Sequence, residues 1–270
     1  MKFLASVILV LAAVSGFAQA PVANFGAAAT GSWILPYTTI TDEFPGTVAT
    51  TTGAIGMQGW DKTVVVAGTN PVAPIPSVAG HIGLISLTTD TTATNGVNIT
   101  LGHGMGLLFP GTDTNWQAEF IVSPSAITTS NIKVGFMTLD NAAVIPTTGV
   151  YVRWLQGTDL SMVICSSTAS TETCGTGSTS AGVVPAAGDY VDVYLWSNVT
   201  TTVNYKIVDT TGTSTGVQSV TGTICPSGCT VTATVPTTIM SPGFQITELG
   251  SVGAPVLTVD SFNFASTVSK

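Results

Sequence analysis

The chain has 270 residues, of which 7% are charged, with a formal net charge of −8, a pI near 4.3 and a mean hydropathy of +0.49. Ordinary globular proteins carry about 25% charged residues; here Thr, Gly, Ser, Ala and Val stand in their place, a composition of strands and turns. The acidic balance excludes nucleic acid and anionic membrane surfaces as partners, and the high apolar content with aromatic residues throughout excludes a disordered chain.

In chain order, the N-terminus comes first. Lys2 precedes the apolar run Phe3–Val14, and small residues follow up to Ala18-Gln19-Ala20. This is the layout of a secretory signal peptide over residues 1–20, with cleavage expected after Ala20 and cleavage after Ala18 as the alternative. The run is shorter than the roughly 20 residues that span a bilayer, and no longer one follows, so no membrane insertion is expected. The remaining chain fits one all-β domain.

Residues 21–43, Ala/Gly-rich around Trp33, read as an extended lead-in, and 44–267 as a single domain. Phe44 and Trp60 look like buried anchors among turn residues. Residues 68–77 (GTNPVAPIPS) read as a loop, because proline cannot donate to a strand ladder. Residues 80–102 read as two strands and a loop. Strands are expected at 116–122, 132–138, 150–155, 160–164, 217–224, 230–235, 243–249 and 256–264, with no helix after the leader. About a dozen short strands with regular turn signals describe a sandwich or jelly roll of two antiparallel sheets.

The clearest hairpin is 189–209, DYVDVYLWSNVTTTVNYKIVD. Val191, Val193 and Leu195 alternate with Tyr190, Asp192, Tyr194 and Trp196, and Val203, Tyr205 and Ile207 with Asn204, Lys206 and Val208. With a loop at 197–201, Val193 would face Tyr205, Leu195 would face Val203 and Asp192 would face Lys206.

All four cysteines lie in the second half. An even count in a secreted chain points to disulfides, and local bridges Cys165–Cys174 and Cys225–Cys229 are expected. Zinc is a poor fit, because the C-x3-C spacing is not a common finger pattern and no histidine lies nearby.

Several segments together resemble a concanavalin A-like lectin/glucanase (LamG-like) jelly-roll domain of secreted bacterial or phage structural proteins. They are DEFPG with Gly59-Trp60, GHIGLISLTTDTTATNGVNITLG, WQAEFIV, KVGFMTLDN, TTGVYVRW, AAGDYVDVYLW, SPGFQI and VLTVDSFNF, spanning roughly 44–264. The resemblance implies the fold and leaves function open, since this fold hosts lectins, glycosidases, adhesion modules and virion parts. The cysteine pairs are not part of that pattern.

No enzyme is expected. Glycosidases of this fold place two acids on one strand in an E-x-D-x-x-E-type run, which this chain lacks. Glu119 and Glu248 are the only glutamates in expected strands, neither with an acid partner in sequence. His81 and His103, each flanked by glycine, read as turn residues, so no catalytic residue and no metal site is assigned. Calcium, the one cofactor worth naming, would draw on Asp90 and Asp140-Asn141. Sugar recognition would use aromatic faces, with Trp60, Trp154, Tyr190, Tyr194 and Trp196 as candidates. The expectation is thus a secreted, non-enzymatic carbohydrate-binding module at the cell surface or outside the cell, its partner a glycan. A self-associating structural subunit is the alternative, and a glycoside hydrolase the third reading.

Overall fold

The computed structural model describes residues 37–44, 55–56, 58–81, 83–101, 107–108, 115–125, 129–139, 141–175, 182–199, 201–211, 218–250 and 253–267. All lie in one compact unit, Leu35–Lys270; the leader, Ala20 and His103 fall outside the described residues.

The first strands are β1 (Tyr37–Asp42), β2 (Trp60–Val65), β3 (Val72–Ile75), β4 (Leu84–Thr88), β5 (Gly96–Leu101) and β6 (Leu107–Leu108). The middle of the chain gives β7 (Trp116–Pro124), β8 (Ser130–Met137), β9 (Thr148–Leu155), β10 (Val163–Thr168) and β11 (Thr171–Cys174). Then come β12 (Val191–Val199), β13 (Thr202–Asp209), β14 (Gln218–Cys225), β15 (Val231–Thr232), β16 (Ile239–Glu248) and β17 (Val256–Thr267). Among the described residues there is no helix.

These strands form two sheets. A nine-stranded sheet runs β15-β14-β13-β12-β7-β17-β4-β3, with β1 also on β17, and an eight-stranded sheet runs β11-β10-β9-β8-β16-β5-β2, with β6 on β16. Every pair is antiparallel except β14–β15. Alternation decides what lies between the sheets. Ala118, Phe120 and Val122 of β7 and Val191, Val193 and Leu195 of β12 meet Ile132, Val134 and Phe136 of β8 and Phe244 and Ile246 of β16 in one core. Phe120 packs against Phe136, Phe244 and Phe262 at ring-centroid distances of 5.6, 5.6 and 5.0 Å. Burying one such side chain is worth about 2–3 kcal/mol, and the Phe136 and Phe244 contacts of Phe120 cross from one sheet to the other.

Phe44 and Trp60 are buried anchors, and one carboxylate explains their pairing. Asp42 Oδ1 accepts from the Phe44 amide at 2.9 Å, while Oδ2 accepts from the Gln58 amide and the Trp60 indole, both at 3.0 Å. Gly56 closes the turn at φ +66°, where a Cβ would stand 2.4 Å from Asp42 Oδ2, so glycine is needed there on both counts.

Three readings of the sequence need correction. Tyr37–Asp42, within the stretch read as a lead-in, is β1 and pairs with the C-terminal half of β17. Val72–Ile75, read as loop, is β3: it pairs only with β4 and forms the sheet edge, the position that tolerates proline. The β12–β13 hairpin is shifted by two residues from the expected register. Val193 faces Ile207, Leu195 faces Tyr205, and Lys206 stands opposite Tyr194, with Asp192 opposite Val208. An irregularity between Trp196 and Val199 lets the strands run on to Val199↔Thr202, shortening the loop. A two-residue shift preserves the faces, which is why alternation alone could not detect it.

Candidate functional site

The outward faces of the two sheets differ. On the eight-stranded sheet, Asn98, Lys133, Tyr151, Gln245 and Thr247 alternate with core residues and yet are buried. Gln245 Nε2 donates to the carbonyls of Ala143 and Val144, Asn141 Nδ2 to Gln245 Oε1, and Asn98 Nδ2 to the Asn141 carbonyl, so residues 141–144 lie across this face. Arg153, Asp159 and Glu172 pair with one another at this sheet. Arg153 donates to both oxygens of Asp159, at 2.9 and 2.6 Å, and to Glu172, which also accepts from the Tyr151 hydroxyl at 2.6 Å. Lys133, 1% exposed, holds its ammonium 5.8 Å from the Tyr151 ring centroid. Burial pushes Lys133 down to about 8.

The nine-stranded sheet presents a half-exposed face instead. Tyr190, just before β12, and Asp192, Tyr194 and Trp196 along it share this face, each only partly buried. The registers lay neighbours beside them. One row reads Lys206, Tyr194, Glu119, Asn263 across β13, β12, β7 and β17; the next reads Asn204, Trp196, Gln117. The Tyr194 hydroxyl donates to Asp192 Oδ2 at 3.0 Å, and Asn263 Nδ2 donates to Glu119 Oε2 at 2.8 Å. Lys206 Nζ stands 6.0 Å from the Tyr194 ring centroid.

A register irregularity between Val259 and Ser261 inserts Asp260 as an extra residue in β17; a bulge of this kind re-aims a side chain. Asp260 Oδ2 lies 2.5 Å from His81 Nδ1, and the His81 ring stacks on Tyr190 at 3.5 Å with 6° between planes. An ionised Asp260 can only accept, so His81 Nδ1 is the donor in this contact. His81, read from sequence as a turn residue, is held by a carboxylate and a phenol ring.

The acids on this face influence one another. Burial, and behind it the charges of Glu119 and Asp260, push Asp192 up to about 6, against the opposing pull of the Tyr194 hydrogen bond and of His81. Burial likewise raises Asp260, opposed by His81. Burial and the charges of Asp192 and Glu119 raise the Tyr194 phenol, so it stays a neutral donor between two acids.

The five aromatic residues named from sequence therefore divide. Tyr190, Tyr194 and Trp196 stand together on one open face. Trp60 and Trp154 are core residues, 0% and 4% exposed, Trp60 packed on Phe44, Phe244 and Phe262. Neither ring is offered to a ligand, because each alternates onto the inner side of its strand. Sequence reading missed the grouping of Glu119, Asp192 and Asp260, which lie on three strands and meet only through the register; the run of polar residues alternating with apolar ones on each strand was the available signal.

The cysteines pair as Cys165–Cys174 and Cys225–Cys229. Cys165 and Cys174 are direct cross-strand partners, and the turn between them is only Ala169-Ser170, both at positive φ. Among the described residues, the one close group of three metal-ligand side chains is Cys165, Glu172 and Cys174; with both sulfurs in the disulfide it has no thiolate to offer. Asp90 accepts from the Thr92 amide and from Asn95 Nδ2, organising its own loop. Asn141 is committed to Gln245, and Asp140 lies outside the described residues.

No family model and no curated protein matches the chain by sequence. Solved structures do match in fold. Lectin I of Ulex europaeus, in complex with the methyl glycoside of α-L-fucose, superposes with a TM-score of 0.52 at 11% identity, covering 86% of this chain and 98% of the lectin. Arcelin-5, a lectin-like defence protein of Phaseolus vulgaris, gives 0.51 at 12% identity over 86% and 99%. A lichenase (β-1,3-1,4-glucanase) derived from a mouse hindgut metagenome gives 0.50 at 9% over 86% and 100%. Lectins and glucanases share one architecture with this protein: the chain folds as a concanavalin A-like jelly-roll sandwich.

Proposed function

We propose that the protein is a secreted, non-enzymatic carbohydrate-binding module whose ligand lies on the outward face of the nine-stranded sheet. The observation that carries this reading is the row of Tyr194 and Trp196 along one side of β12, with Tyr190 just before it, interleaved with Asp192 and flanked by Glu119 and Asn263. A pyranose ring offers apolar C–H faces and a rim of hydroxyls. Aromatic faces take the former, and carboxylate and amide groups pair with the latter.

The sequence supports binding over hydrolysis, since it lacks the E-x-D-x-x-E-type run of two acids on one strand. Glycosidases need one carboxyl free to protonate the leaving oxygen and another free to attack or to activate water. Here the Tyr194 hydroxyl is tied to Asp192 and the Asn263 amide to Glu119. Each acid keeps lone pairs with which to accept from ligand hydroxyls. Secretion is supported by the leader-like N-terminus and by both disulfides, which persist in oxidising compartments. Assembly through strand edges is less well supported: β3 contains Pro74 between Pro71 and Pro76, β15 has two residues, β2 carries Asp61-Lys62, and β11 is bridged to β10.

The test is to pass a broad glycan and polysaccharide panel over the oxidised protein and recover each glycan for sizing. At least one should be retained and returned intact. Shortened products that vanish in Asp192→Asn would replace the binder with a hydrolase, and a folded protein that retains nothing would favour the structural subunit.

A further inference from the structure

The open face is acidic as well as aromatic, its three carboxylates Glu119, Asp192 and Asp260 set against two basic groups, Lys206 and His81. The described Lys and Arg residues are Lys62 on β2, Lys133 on β8, Arg153 on β9 and Lys206 on β13. Only the last belongs to the nine-stranded sheet, against Glu119, Asp192 and Asp260 in that same sheet. Lys206 lies to one side of the carboxylates, over the Tyr194 ring. His81 is the other basic group at the face, bound to Asp260.

Each of these carboxylates has a neutral or histidine donor already, from Tyr194, Asn263 and His81, and each retains further lone pairs. Glu119 and Asp192 are brought into one neighbourhood by the Tyr194↔Glu119 register, with the phenol hydroxyl bonded to Asp192. Their mutual repulsion is what a bound cation would relieve. Aromatic faces beside them attract a cation as well. A ligand that matches carries apolar ring faces, hydroxyls and positive charge together. An anionic sugar would meet the same carboxylates as repulsion.

We propose that the preferred ligand is a glycan of amino sugars with free amines, its ring on Trp196 and its ammonium on the remaining lone pairs of Asp192 and Glu119, to either side of the Tyr194 hydroxyl; this rests on the carbohydrate-binding reading above. N-acetylated and neutral sugars can use the rings but not the charge. Uronate-containing glycans are selected against.

The test is calorimetry on the oxidised full chain with a glucosamine oligomer, its N-acetylated counterpart, a neutral glucose oligomer of equal length, a galacturonate oligomer and oligolysine. The glucosamine oligomer should bind about tenfold tighter than the acetylated one, and the galacturonate oligomer weakest. Asp192→Asn and Glu119→Gln should bring the amine-to-acetyl ratio towards one, and Asp61→Asn, in the other sheet, should not. Equal or tighter binding of the acetylated oligomer would overturn the amine preference and leave the sugar reading standing. Oligolysine bound as well as the amino sugar, or amino-sugar binding indifferent to Trp196→Ala, would overturn it as bulk attraction to an acidic chain. A folded protein that binds none of these oligomers but retains another glycan from the broad panel would overturn the amine preference alone, and one that retains no glycan at all would remove both readings.

Discussion

The phenol of Tyr194 donates to Oδ2 of Asp192, two residues back on the same strand face, at 3.0 Å. Alternation brings the two together, and the β7–β12 register sets Glu119 on the other side of Tyr194. Burial, with the charge of Glu119 behind it and against the pull of the Tyr194 hydrogen bond, makes Asp192 an acid that holds its proton to about pH 6.

That raised value makes stability depend on pH. The folded state keeps the Asp192 proton up to about 6, while the unfolded chain releases it near 3.8. Between those values the folded state binds more protons, so stability falls as pH rises from about 4 to 6 and levels off above. Asp260, also raised, contributes in the same direction. Asp192→Asn should flatten the decline by on the order of 2 kcal/mol, read from urea unfolding across this range. An unchanged slope would mean that Asp192 ionises freely in the folded protein.

Asp42 is 0% exposed and accepts from Phe44, Gln58 and Trp60. Asp42→Ala orphans all three donors, the Trp60 indole among them. The expected loss is on the order of 3 kcal/mol, a fall in Tm of about 10 °C for a domain of this size. Asp42→Asn, which can serve some of these donors, should lose less. Equal losses in the two variants would show that shape, and not hydrogen bonding, makes this position sensitive.

How far the sequence led is visible in that same corner. DEFPG and Gly59-Trp60 marked Phe44 and Trp60 as anchors, because large apolar residues among turn residues have nowhere else to go. The carboxylate that joins them is a contact across 18 positions and carries no local signal. Likewise, alternation put Tyr190, Tyr194 and Trp196 on one face and the aliphatic residues on the other, and the short spacing of the cysteines gave their pairing. Trp60 reads from sequence both as an anchor and as a sugar platform, and Trp154 could not be separated from the open-face rings, because an isolated aromatic in a strand looks the same from either side. The acids Glu119, Asp192 and Asp260 were invisible as a group, since cross-strand register and a bulge decide their meeting.

Lys133 is the reverse case, a charge enclosed beneath the Tyr151 ring with Glu172, Arg153 and Asp159 around it. Burial holds its pKa near 8 against an ordinary 10.5, so the folded state disfavours the charge that is present at pH 7. Lys133→Met should raise stability at pH 7 by about 1–2 kcal/mol. Its advantage should shrink between about pH 8 and 10.5, where the unfolded chain binds the additional proton and the wild type gains stability as pH rises. A destabilised variant with a native fold would mean that the ammonium is a net contributor through its aromatic and carboxylate neighbours.

The most direct measurement compares glycan binding by the wild type, Trp196→Ala and Trp154→Phe. Trp196 stands on the open face and Trp154 in the core. With the open face as the binding surface, Trp196→Ala should weaken binding of the retained glycan by at least about tenfold with Tm almost unchanged. Trp154→Phe should lower Tm and bind as the wild type does while folded. Binding that survives Trp196→Ala undiminished would contradict the placement of the ligand on the nine-stranded sheet.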